Sequence, residues 1–107
     1  MVRPPSNVLN NPFERNDQMD IKSAIGEVIK EIRAEQKVSQ EQLGASQTYV
    51  SNVESGKKLI SLDKLEEFAC SLNTHPLVII VRAYAKDNND SLAQELLDLL
   101  RRNSRHD

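Results

Sequence analysis

The chain has 107 residues, 38% hydrophobic and 28% charged, with a formal net charge of −2; this fits one small globular domain and excludes a strong overall positive field. Its single cysteine, Cys70, excludes an internal disulfide, and with only His75 and His106 beside it no metal-ligand spacing exists. No apolar run approaches the roughly 20 residues of a membrane helix, and Met1-Val2-Arg3-Pro4-Pro5 lacks the apolar core of a signal peptide, so the expected compartment is the cytoplasm and no membrane partner is expected.

Residues 1–19 hold Pro4-Pro5, Pro12 and four asparagines without helical or strand period, and read as an extended arm. From Asp20 the pattern changes. Ile21, Ile25, Val28, Ile29 and Ile32 form one face of a helix expected over about Asp20–Gln36. Ser39-Gln40-Glu41-Gln42 fits a capping box that opens a brief second helix, because Gly44 follows almost at once. Ser46 caps a third helix with Tyr49, Val50 and Val53 inward and Gln47, Thr48, Ser51, Asn52 and Ser55 outward. Gly56 suits the left-handed position past its end, and Lys57-Lys58 follow.

Ser61 caps a fourth helix, with Leu62, Leu65, Phe68, Ala69 and Leu72 as its buried stripe and Cys70 in or near the core. His75-Pro76 suits the start of the next. Leu77-Val78-Ile79-Ile80-Val81 has the composition of a buried strand, but a lone strand leaves its backbone groups unsatisfied, so a helix over about 76–86 is expected. Ser91-Leu92-Ala93-Gln94 reads as a second capping box, opening a leucine-rich amphipathic helix that Arg101 and Arg102 close. The expected organisation is an arm at 1–19, a helical domain at 20–86 and a C-terminal helix within 87–107 that serves dimerisation.

Two short helices joined near a glycine, the second polar on its outer face, describe a helix-turn-helix. The run Gln40-Glu41-Gln42-Leu43, then Ser46-Gln47-Thr48-Tyr49-Val50-Ser51-Asn52-Val53-Glu54-Ser55-Gly56-Lys57-Lys58, resembles the core of Xre/Cro-type phage-repressor proteins. Ser61-Leu62-Asp63-Lys64-Leu65 and Leu72-Asn73-Thr74-His75-Pro76-Leu77 resemble that family's following helices, so the likeness spans about residues 21–85. It implies an all-α fold: a five-helix lambda-repressor-like DNA-binding domain, here followed by the C-terminal helix. Only Gly44 and Ala45 separate Leu43 from Ser46, where the family usually has about six residues. The second helix therefore lacks about one turn, roughly 5.4 Å of axis.

A helix can enter the major groove, and an amide side chain can both donate to and accept from an adenine edge. Gln47 and Asn52 are thus candidates for base contacts, with Thr48 offering a methyl and Ser51 a hydroxyl; the resemblance places base contacts at the same positions. Gln40, Ser46, Lys57 and Lys58 are candidates for the DNA backbone, with Arg33 and Lys37 beside them. Glu54 suits a structural hydrogen bond or ion pair with Arg33. One short helix reads only a few base pairs, so a homodimer on a palindromic operator is expected, its interface drawn from Val78, Ile79, Val81, Leu92, Leu96, Leu99 and Leu100. No catalytic pair, phosphate-binding loop or cofactor motif stands out. The expected function is a repressor of transcription bound to double-stranded DNA. The alternatives are an antitoxin-like module whose C-terminal helix clamps a toxin or other protein partner, and a restriction-modification controller.

Overall fold

In the computed structural model residues 20–103 are described, so the arm expected at 1–19 lies outside them. The Asp20 carboxylate accepts from the Ser23 N–H at 2.8 Å, satisfying one of the donors a helix start leaves open. From that cap α1 runs over Ile21–Gln36. A short 3-10 helix, Gln40–Leu43, follows, then α2 (Gln47–Glu54), α3 (Leu62–Ser71), α4 (Pro76–Ala85) and α5 (Ser91–Asn103). The fold is all-α, and the β-branched stretch at 77–81 is helical. Pro76 pre-sets its first turn, while His75 Nδ1 accepts from the Leu77 N–H at 3.0 Å.

The hydrophobic stripe of α1 lies at the centre of the packing. Ala24, Val28 and Ile29 are fully buried against Leu43, Val50, Val53, Phe68, Leu72 and Ile79. Each large side chain so buried contributes roughly 1.5–3 kcal/mol. α1 meets α2 on one side and α4 on another. The approach to α2 is closest at Gly26, where an added Cβ would overlap the Val53 carbonyl oxygen and stand 3.0 Å from that of Glu54.

Several expectations need correcting. Ile79 is 0% exposed and belongs to the core, so it cannot meet another chain. Leu62 is exposed because it is the first residue after the Ser61 cap, and the buried stripe of α3 begins only at Leu65. Cys70 is exposed, turned about 100° around the helix from buried Ala69. The cap of α5 is Asp90 rather than Ser91: its carboxylate accepts from the Ala93 N–H at 3.0 Å. Gln94 reaches instead to the end of α4, where its Nε2 donates to the Ala85 and Asp87 carbonyls at 3.4 and 3.3 Å. With Ala93 buried and Leu97 and Leu100 half-buried, α5 folds back along α4.

Candidate nucleic-acid interface

The shortened second helix is a single 3-10 turn, and its placement of α2 depends on side chains more than on backbone length. Ser39 N–H donates to Gln42 Oε1 at 2.8 Å, the reach-back half of the expected capping box. At the other end of the turn Leu43 is fully buried.

Four polar residues then link three elements. Arg33 on α1 grips Glu54 at the end of α2 with two parallel bonds, Nε to Oε2 at 2.7 Å and Nη2 to Oε1 at 2.9 Å. Its Nη1 donates to the Val38 carbonyl at 3.1 Å. Gln40 Nε2 donates to Glu54 Oε1 at 3.0 Å, and Gln40 Oε1 accepts from the Ser51 hydroxyl at 3.1 Å. The Arg33 and Glu54 side chains are only 18% and 5% exposed. A forked pair so shielded is geometrically specific. The Glu54 hydrogen bond outweighs burial and holds the Arg33 pKa above its ordinary value, so the guanidinium stays charged.

This network supplies the partner expected for Glu54 and engages two of the phosphate candidates, Arg33 and Gln40. Arg33 spends three of its five donors inside the domain, which gives it a structural role. Gln40 has its amide tied to Glu54 and Ser51, with one Nε2 hydrogen left over. Sequence periodicity gave no sign of the Gln40 bridge, because it joins residues 14 and 11 positions apart across a turn.

The outer face of α2 is open. Gln47, Thr48 and Ser51 are exposed and Asn52 is half-buried. Gln47 and Asn52 lie about 140° and 7.5 Å apart on an ideal helix. Among the described residues the side chains of Gln47, Thr48 and Asn52 make no hydrogen bond. Ser46 caps the helix by accepting from the Tyr49 N–H at 3.1 Å, which leaves its own O–H to give. Past the helix, Gly56 takes φ +83°, and the Lys57 and Lys58 N–H groups both donate to the Asn52 carbonyl, at 2.9 and 3.1 Å. Lys57 is exposed, whereas Lys58 Nζ stands 5.7 Å from the centre of the Tyr49 ring. Lys37, exposed at the end of α1, holds the left-handed φ of 60°.

The acids are disposed of elsewhere. Glu27, Glu31 and Glu35 form a stripe of α1 turned by 100° or more from the Gly26 and Arg33 face that meets α2. They pair with α4: Lys86 Nζ with Glu31 at 2.8 Å and Glu27 at 3.4 Å, Arg82 with Glu31 at 3.3 Å and Glu35 at 3.5 Å. Around α2, Lys37, Lys57 and Lys58 are exposed and form no ion pair among the described residues. Net charge hides this local arrangement.

Residues 29–79 match the family described as Helix-turn-helix, a span containing the whole network and the open face of α2. The match is to that stretch alone, from the middle of α1 to Ile79 in α4. The fold is similar to the crystal structure of the clp gene regulator ClgR from C. glutamicum, with a TM-score of 0.61 and 22% identity, covering 65% of this chain and 96% of that one. At that identity the likeness speaks for the fold alone. Comparison with curated proteins finds no match. No helix among the described residues is long and apolar enough to cross a membrane.

Proposed function

We propose that this helix-turn-helix protein is a cytoplasmic repressor that binds, as a homodimer, an operator of two inverted half-sites. α2 enters the major groove in each half-site. Gln47 and Asn52 read base edges, Thr48 meets a thymine methyl, and Ser51 joins them through the lone pairs its bond to Gln40 leaves. Ser46, Lys57, Lys58 and Lys37 hold phosphates, with the remaining Gln40 hydrogen beside them. Two-fold pairing sets the two helices about one DNA turn, roughly 34 Å, apart. Repression then needs only occupancy of the operator.

The observation that carries this reading is a polar helix face on which Gln47, Thr48 and Asn52 make no internal hydrogen bond, braced by the Arg33–Glu54–Gln40–Ser51 network. A merely solvated helix has no need of such a brace. The test is selection of bound sites from a random DNA pool, repeated with Gln47→Ala and Asn52→Ala. Each variant should lose preference at one position per half-site, by about 1–3 kcal/mol, while binding to random DNA barely changes. Unaltered base preference in both variants would remove α2 from the groove.

A further inference from the structure

Along α5 one apolar stripe is left uncovered. Leu92, Leu96 and Leu99 are 65%, 39% and 45% exposed, although Ala93 and Leu97 on the neighbouring face pack on α4. The stripe borders a groove of about 310 Å³ walled by Ile80, Val81, Tyr84, Leu92, Ala93 and Leu96, with the α5 cap Asp90 at one end of its lining. Its leucines recur at intervals of four and three, the spacing of a helix–helix seam. On the side away from α4 the stripe is edged by Glu95 and Arg102, one turn before and one turn after Leu99. These two residues and Asp98 surround Leu99 in one surface depression. Among the described residues neither Glu95 nor Arg102 forms an ion pair.

Resting on the homodimer reading above, we infer that the Leu96–Leu99 part of the stripe packs on α5 of a second copy, antiparallel to the first, with Glu95 of each copy facing Arg102 of the other. Opposite charges seven residues apart on the same edge of a seam are related by the two-fold axis of an antiparallel pair. One copy's acid meets the other's base twice, about 10.5 Å apart along the helix. A toxin or another unlike partner would not require this reciprocity, whereas a second copy uses it in full. The seam brings Leu96 of one copy beside Leu99 of the other. Val78 on α4 and Leu100 on α5 take no part and instead line the cleft toward α1 with Arg82 and Glu35.

The reciprocity can be tested by exchange of charges in the full chain. Glu95→Arg puts four arginines along the seam and Arg102→Glu puts four glutamates there. Each variant alone should self-associate about tenfold or more weakly in sedimentation equilibrium, since like charges face each other twice. Mixed in equal amounts the two should regain a dimer, because both facing pairs are then of opposite sign. Both positions are exposed, and far-UV circular dichroism of each variant should match the parent. A monomeric parent chain would overturn the homodimer reading and this inference together. A dimeric parent whose two variants stay dimeric alone, or do not recover on mixing, would overturn only the antiparallel pairing.

Discussion

Arg33 shows how a charge can be drawn from function into architecture. Removing it in Arg33→Ala leaves the Glu54 carboxylate buried without a cation, a change that destabilises by about 3 kcal/mol or more. Urea unfolding measures this directly. Replacing both partners by methionine should destabilise less than Arg33→Ala alone, because no lone charge remains buried. The double variant should still bind DNA poorly, since Gln40 loses its acceptor on α2. Lys37 carries the opposite tension. Its φ of 60° is a conformation glycine adopts freely, so Lys37→Gly should raise stability by roughly 0.5–1 kcal/mol. The same variant should bind DNA more weakly, as measured by fluorescence anisotropy. A rise in stability with unchanged affinity would show that Lys37 does not touch phosphate.

The caps of α2 and α3 were legible because they are local: Ser46 and Ser61 announce helix starts by chemistry that acts three residues ahead. Asp20 and Asp90 were not read as caps, the latter because Ser91 beside it offers the same chemistry. What faces what was not legible. Periodicity marks Ile79 as apolar without saying whether α1 or another chain covers it, and it gives Gly26 no meaning until α2 lies across it. Gly26→Ala should therefore destabilise by about 1–3 kcal/mol or more, since the obstacle is backbone that cannot rotate away. It should also weaken DNA binding beyond its effect on the folded fraction. The pairing of α1 with α4 was likewise hidden, and it has a pH signature. Burial lowers the Lys86 pKa, but the hydrogen bond and charge of Glu31, with Glu27, outweigh it and leave a net rise. A raised pKa in the folded state means the contribution of Lys86 is fully present at neutral pH and is lost as pH climbs through the alkaline lysine range. The urea midpoints of the parent and Lys86→Met should differ by a constant amount across neutral pH and converge only in alkali.

For the molecule as a whole, affinity must come from where charges sit, because their sum is negative. Lys57→Ala should flatten the dependence of log K on log salt by up to about 0.9, the share of one phosphate, equally on operator and random DNA. Lys58→Ala should have the smaller effect, its ammonium being partly held over Tyr49. An unchanged slope in both variants would leave these lysines in solvent. The reading face was visible in the sequence as a polar run between Ser46 and Gly56, but not what braces it, since Gln40, Ser51 and Glu54 meet only after the chain turns. The ladder of acids and bases between α1 and α4 has one more consequence, for how the protein finds its operator. With acids paired on one wall and Lys37, Lys57 and Lys58 exposed near α2, a duplex should attract the molecule most strongly when the lysine edge leads. Encounters should then be steered toward the reading face, and added salt should slow association by screening that steering.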